Sequence, residues 1–364
     1  MSIVERKRSI LCAAFRCYFD NSNGAAVAIR ALMEALTRQG FSTAALTGTC
    51  LELNQDSDPA AWLAAQGLMF DTRGGDGWSI DARGLRAVAP IHYRLTVQNV
   101  QAVLCRSTSS RVHEPDGAEQ EDFLRLFEHA IERSRPDVLI NYGGDLLANE
   151  IRARARARGV AVVFALHNFS YHSSRAFESV DAVIVPSQFA ADHYRKTLGL
   201  ECTVLPNLID LDRVRATTHD PRYVTFVNPS YEKGVYAFAR IADELGRRRP
   251  DIPLLVVEGR GAERTLADCG LDLRVHGNVH MMGHTHDPRL FWAVSRVCLI
   301  PSLWWENQPL VAVEAMVNGI PVDRIGHPPL GRRGVLHGAS ATGTRGVSAV
   351  GAGGSGAERR PILQ

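Results

Sequence analysis

The residues of this chain best suited to chemistry are two glutamates eight positions apart, Glu306 and Glu314, in the segment Pro301–Gly319 (PSLWWENQPLVAVEAMVNG). A buried-strand pattern ends at Leu299-Ile-Pro-Ser302, a loop follows to Pro309, and apolar helical text starts at Leu310. A strand-loop-helix junction leaves main-chain N–H groups free and presents the positive end of a helix dipole, which suits a phosphate or a polar sugar. A carboxylate just inside it can accept two hydrogen bonds from neighbouring hydroxyls, as on a ribose. The plainer alternative makes Glu306 an exposed loop acid and Glu314 a helix-surface residue. Glu314 stands among Val311, Ala312, Val313, Ala315 and Met316, however, where a carboxylate without a partner is costly. The functional reading is therefore preferred.

Other single residues invite the same question. Only Lys7, Lys196 and Lys233 are lysines among 41 basic residues. Lys233 follows a strand pattern and precedes a helical one, where a fixed cation can stabilise negative charge that develops during a reaction. His167 closes an apolar strand and can face a cleft, or can simply be satisfied by a main-chain carbonyl. Gly24 opens a helix and would let the backbone approach a substrate closely. His276, His280, His284 and His286 are dense enough to suggest a metal. They lack helical context, though, and no cysteine or acid pair completes a set, so no metal is expected.

These residues need elements to position them. Short apolar runs predict strands at Ser9–Phe15, Asp137–Asn141, Val160–His167, Asp181–Pro186, Tyr223–Asn228, Pro253–Glu258 and Val297–Pro301. Helical periodicity predicts Ala25–Arg38, Glu121–Arg133, Leu146–Arg158, Gln188–Leu198, Val235–Arg248 and Leu310–Asn318. The alternation implies parallel sheets covered by helices on both faces, an α/β class. The stretch Gly74–Arg111 is less regular and is expected to hold short strands or an excursion beside the first sheet. A polar, charged break near Asp210–Arg222 divides the chain into a first domain at 1–210, a linker at 211–222 and a second domain at 223–322. Ligands in such folds sit at the carboxyl ends of the strands. Residues 323–364 hold ten glycines and no aromatic, follow neither period, and are expected to be disordered.

Composition narrows the classes. A formal net charge of +2 with 22% charged residues gives no pull toward nucleic acid. The seven cysteines are scattered without CxxC spacing, as in a reduced, cytoplasmic protein that uses them as small hydrophobes. The basic-then-apolar N-terminus is interrupted by Arg16 and predicts a first strand rather than a leader. No run approaches the ~20 apolar residues of a membrane span.

The segment PSLWWENQPLVAVEA resembles the Glu-x7-Glu motif of family 4 glycosyltransferases, which are retaining enzymes of the GT-B fold. The similarity extends over most of residues 9–322. Asn23-Gly24 resembles the family's first glycine loop, and Ala165-Leu-His167-Asn168 its strand-end histidine. Val185-Pro-Ser187, Leu205-Pro-Asn207-Leu-Ile-Asp210 and Asn228-Pro-Ser-Tyr-Glu-Lys233-Gly234 resemble its VxS, PNGxD and KG segments. The resemblance implies two doubly wound Rossmann-like domains facing a cleft, an acceptor side first and a donor side second.

It also implies roles. Glu314 would bind ribose hydroxyls and Glu306 sugar hydroxyls, and main-chain N–H groups around Asn307, Gln308 and Leu310 would meet sugar and phosphate. Lys233 would neutralise the leaving diphosphate, His167 would orient the reaction centre, and Gly24 would admit the donor. The expected substrates are a nucleotide sugar and a saccharide, lipid-linked or small-molecule acceptor, with no cofactor or metal and with peripheral membrane contact allowed. The chain departs from the pattern where Asn228 replaces an arginine, with Ser230 or Arg260 as compensating donor ligands, and where Leu208 replaces the glycine of PNG. After Val322 the expected glycine loop and helices give way to other text. Codons for Asp323–Gly326, read one base earlier, permit Gly-Ser-Asp-Arg, so a frameshift and an incomplete second domain are expected. An inactive remnant and a nucleotide-sugar epimerase are the alternatives.

Overall fold

Strands buried on both faces organise the chain. In β1 (Ser9–Arg16), Ile10, Cys12 and Ala14 cluster with Ile29 and Met33 of the helix Gly24–Arg38. The alternate residues Leu11, Ala13 and Phe15 cluster with Phe123, Phe127 and Ile131 of the helix Gly117–Ser134. Successive side chains of a strand point to opposite faces, so an unbroken apolar run can exist only between two helical layers. Each large side chain so buried contributes roughly 2 kcal/mol.

A computed structural model describes residues 7–53, 56–75, 78–80 and 86–324. Its strands are β1, β2 (Ser42–Cys50), β3 (Asp71–Arg73), β4 (Trp78–Ile80), β5 (Arg86–Val88), β6 (His92–Val97), β7 (Val100–Cys105), β8 (Val138–Asn141), β9 (Ala161–Ala165), β10 (Ala182–Val185) and β11 (Thr203–Val204) in the first part. The second part has β12 (Tyr223–Val227), β13 (Leu254–Val257), β14 (Val279–Met282), β15 (Ser295–Ile300) and β16 (Val322–Arg324). The first sheet has the order β11-β10-β9-β8-β1-β2-β7-β6-β3 and the second β14-β13-β12-β15-β16, with β4 and β5 as a separate pair. The second sheet is wholly parallel. In the first, β6 runs antiparallel to β7 and β3 antiparallel to β6. The β6–β7 turn is only Gln98 and Asn99, both at positive φ (51° and 61°), the geometry of a tight hairpin whose twist matches its strands.

The second sheet repeats the two-faced logic. Leu254 and Val256 of β13 cluster with Phe238 and Ala242 of the helix Val235–Arg248. Leu255 and Val257 cluster with Phe291, Trp292, Ala312 and Ala315, the last two on the helix Leu310–Val317.

Some expectations shift. The irregular stretch 74–111 carries β6 and β7, and β7 is an interior strand bonded to β2. The linker 211–222 is not a bare connector: it holds a short helix, Leu211–Val214, and buries Val214 and Ala216 in the core of the second sheet. Asn318 fixes it there, its Oδ1 accepting from the Ala216 N–H at 2.8 Å and its Nδ2 donating to the Val214 carbonyl at 3.1 Å. Strand β16 continues through Asp323 and Arg324 beside β15, two residues into the segment expected to be a tail. Residues 325–364, the rest of the segment expected to be disordered after a frameshift near Val322, lie outside the described residues.

Gly234 caps the helix Val235–Arg248 with φ +82°, and a Cβ built there would lie 1.9 Å from the Pro301 carbonyl oxygen. Both the backbone conformation and the space exclude a side chain. Gly234→Ala is expected to lower unfolding stability by more than ~2 kcal/mol. Urea denaturation checks this, and a wild-type midpoint would contradict it.

Candidate active site

The carboxyl ends of the two sheets face a cavity of about 650 Å³. Gly24, His167, Lys233, Glu306, Asn307, Gln308, Leu310 and Glu314 all line it. Residues spread over nearly three hundred positions of sequence thus share one space. Ser230 is the exception among the sequence candidates: it is buried behind the wall, its N–H donating to the Asn228 carbonyl at 2.7 Å.

At the centre is an ion pair. Lys233 Nζ lies 2.5 Å from Glu306 Oε1, and Ser302 Oγ donates to the same oxygen at 2.7 Å. The pair is only slightly exposed, so water screens it less than a surface pair. Glu314 lies one helical segment further in. Trp292 Nε1 donates to its Oε2 at 3.1 Å, and burial raises the carboxyl above its ordinary pKa, with the tryptophan bond opposing.

Helix ends add to the positive side of the site. The longer helices beginning at Gly24, Gly117, Leu146 and Gln188 are capped by the side chains of Asn23, Asp116, Asp145 and Ser187. The helices Val235–Arg248 and Leu310–Val317, which begin beside Lys233 and on the cavity wall, have no side-chain cap. The Val235 N–H donates to the Ser230 carbonyl (3.2 Å) and the Ala312 N–H to the Pro309 carbonyl (3.1 Å); the other first-turn N–H groups and the helix dipoles suit an anion.

Two imidazoles on the wall carry unpaired atoms. Nε2 of His167 and Nε2 of His284 are buried without a hydrogen-bond partner among the described residues. Burial pushes the His167 pKa down to about 4 and also lowers that of His284. Both shifts favour the neutral imidazole near pH 7. The four-histidine run is divided among separate tasks. His276 meets Asp243 at 2.9 Å, and His280 packs edge-on against Tyr223. His286 bridges to Asn21 (3.1 Å) and Gln66 (2.8 Å) of the first sheet's half. Among the described residues no three His, Cys, Asp or Glu side chains are placed to hold a metal.

Several of these residues escape the sequence reading. Ser302 and Trp292 have no local pattern marking them, since their roles come from packing between distant segments, and His284 stood out only as one of a dense histidine run weighed as a metal site. Asn228, standing where an arginine was expected, adopts φ +62° and accepts from the Gly261 N–H at 2.9 Å, holding the loop that carries Arg260. Arg260 lines the cavity but its Nη1 donates to Glu52 across it at 2.9 Å. Among the described residues no helix is long and apolar enough to cross a membrane.

Comparison with known proteins identifies the family and the fold. Residues 22–213 match the family model described as Glycosyltransferase Family 4, and residues 221–324 match the one described as Glycosyl transferases group 1. No curated protein sequence matches. Among solved structures, the catalytic domain of starch synthase IV from Arabidopsis thaliana, bound to ADP and acarbose, superposes with a TM-score of 0.61 at 14% identity, covering 87% of this chain and 82% of that one. A glycosyltransferase from Rickettsia africae ESF-5 gives 0.58 at 10% identity, covering 88% and 79%. Anabaena Alr3699/HepE in complex with UDP and glucose gives 0.54 at 15% identity, covering 86% and 80%. At these identities the likeness is one of fold, and the fold is GT-B.

The raised Glu314 pKa has a consequence for stability. The folded state holds that proton more tightly than the unfolded chain, so ionisation costs stability as pH rises from about 4.5 through the raised value. Glu314→Gln keeps an acceptor for Trp292 and removes the charge. Its thermal midpoint should exceed that of the wild type at pH 8, with the gap closing toward pH 4.5. A gap that is absent or reversed at pH 8 in scanning calorimetry would refute this account of the site.

Proposed function

The chain belongs to glycosyltransferase family 4, and we propose that it transfers a sugar from a nucleoside-diphosphate donor to an acceptor hydroxyl with retention at the anomeric carbon. The observation that carries this reading is the Lys233–Glu306 pair set between two uncapped helix N-termini, with Glu314 deeper on the same wall. That arrangement suits a ligand that is anionic at its middle and rich in hydroxyls at both ends.

In the proposed complex the diphosphate lies against Lys233 and the first turns of the two helices. These groups are fixed before the reaction, so they stabilise the leaving charge without reorganising. The ribose hydroxyls donate to Glu314 and the sugar hydroxyls to Glu306. Neutral His167, presented from the end of β9, orients the sugar from the acceptor side. The acceptor oxygen bonds to the anomeric carbon as the bond to the diphosphate oxygen breaks, and the acceptor proton passes to the departing diphosphate. Lys233 supplies the positive charge, and no metal is required by this reading. The acceptor is a saccharide, a lipid-linked sugar or a small alcohol bound on the first sheet's side.

The test begins with calorimetric titration of UDP, GDP and ADP. One of them should bind, and Glu314→Ala should weaken it about 10- to 100-fold, the loss of hydrogen bonds to a charged group. With the matching nucleotide sugar, Lys233→Ala should lower kcat about 10²-fold or more. Proton NMR of the product should show the anomeric configuration of the donor. Inversion would overturn the stereochemical part, and failure of all three nucleotides to bind would overturn the donor class.

A further inference from the structure

Four consecutive residues after β15 do unequal work. Glu306 turns inward to Lys233 and Ser302. Its neighbours turn to the first sheet. Trp305 packs edge-on against Phe169, Phe189 and His193, at ring distances of 5.7, 5.7 and 5.3 Å. Asn307 is buried; its Oδ1 accepts from Ser187 Oγ at 2.6 Å and its Nδ2 donates to the Leu166 carbonyl at 3.4 Å. Gln308 accepts through Oε1 from the Asn207 N–H at 2.7 Å, and its carbonyl accepts from Asn207 Nδ2 at 3.3 Å.

The anchor points are not scattered. Leu166 directly follows β9 and precedes His167, Ser187 follows β10 and caps the helix Gln188–Leu198, and Asn207 follows β11. Strands β9, β10 and β11 are adjacent in the sheet. One loop of the second sheet therefore grips the carboxyl ends of three neighbouring strands of the first.

We propose that the side chains of Asn307 and Gln308 are positioning residues that lock the first sheet's His167 edge into register with the loop bearing Glu306. The proposal rests on the glycosyl-transfer reading of the site. Its chemistry is asymmetric. Asn307 uses both ends of its amide, and an aspartate there would set a carboxylate oxygen against the Leu166 carbonyl. Gln308 uses its side chain only as an acceptor, which a glutamate still provides to the Asn207 N–H.

The experiment compares Asn307→Asp, Gln308→Glu, Ser187→Ala and Ser187→Thr in the full chain. Hydrogen exchange is followed by mass spectrometry over 166–168, 187–190 and 205–209, with titration of UDP, GDP and ADP and steady-state kinetics on the matching nucleotide sugar. Asn307→Asp should speed exchange in all three segments. It should lower kcat about 10²-fold, the cost of a misplacement near 1 Å, while nucleotide Kd and donor KM change less than about threefold, since uniform binding is untouched. Gln308→Glu should keep wild-type exchange at 205–209. Ser187→Ala, which also removes the cap on the Ala190 N–H, should speed exchange at 166–168 as well as at 187–190 and lower kcat, whereas cap loss alone would confine the change to 187–190. Ser187→Thr, which keeps the hydroxyl, should restore all three, so the proposal stands or falls even if Asn307→Asp does not fold. Nucleotide binding with unchanged exchange and kcat in Asn307→Asp and Ser187→Ala overturns the clasp. If no nucleotide binds the wild type, the donor reading fails instead, and the exchange pattern alone decides the clasp.

Discussion

The cavity depends on how closely two strand ends approach each other. The turn after β12 passes so near the end of β15 that Gly234 touches the Pro301 carbonyl with no room for a side chain. That approach brings Lys233 onto Glu306 and Ser302. It also brings Lys233, just ahead of the helix Val235–Arg248, to the cavity that Leu310 of Leu310–Val317 lines. A wider gap would leave a lysine in solvent and a loop glutamate with no defined direction. Here a steric minimum is converted into a fixed charge pattern.

The same economy governs the polar groups. Most of the longer helices spend a side chain on their first turn, among them Gly24–Arg38 at the cavity, whereas Val235–Arg248 and Leu310–Val317 do not. Buried donors and acceptors are ordinarily paired, yet His167 and His284 each bring an unpaired nitrogen to this one wall. Glu314 is held where burial works against its charge, with a single indole N–H as partner. Each of these arrangements costs stability, and they coincide in space. The proposed donor, with an anionic centre and flanking hydroxyls, is a ligand whose groups would pair with them together.

Much of this was legible in the residues, for particular reasons. Strand β1, apolar from Ile10 to Phe15, and strand β13, apolar throughout Leu254–Val257, sit between helical layers, so hydrophobicity alone reveals them. Helices Gln188–Leu198 and Val235–Arg248 carry both periodicity and clear ends. Strand β2, Ser42–Cys50, escapes because STAALTGTC is built of small and hydroxylated residues that pack through shape, and Thr43, Thr47 and Thr49 are buried nonetheless. Strand β7 escapes because its antiparallel partner is set by a two-residue turn of Gln and Asn rather than by glycine. At the site, Glu306, Glu314, Lys233 and His167 stand out by type and context. Ser302 and Trp292 do not, since their importance lies in atoms reached across the fold. Ser230 was singled out and lies behind the wall, for the sharp turn at Asn228 directs it inward.

Asn307 and Gln308 show why a linear reading and a spatial one assign different work to the same residues. In sequence they directly follow Glu306 in the loop before the helix Leu310–Val317, so their main chain draws attention. In space their side chains belong to the other sheet, meeting Leu166, Ser187 and Asn207 at the ends of three adjacent strands. An amide is the side chain that can donate and accept at one buried point without bringing a charge, and charge is what this seam must avoid beside the Lys233–Glu306 pair. Neutral amides can thus hold the two halves together while leaving the electrostatics of the cavity to the ion pair and the helix ends. The division of labour within one short loop, charge facing the cavity and amides facing the first sheet, lets the same backbone segment set both the ion pair and the strand ends of the facing half.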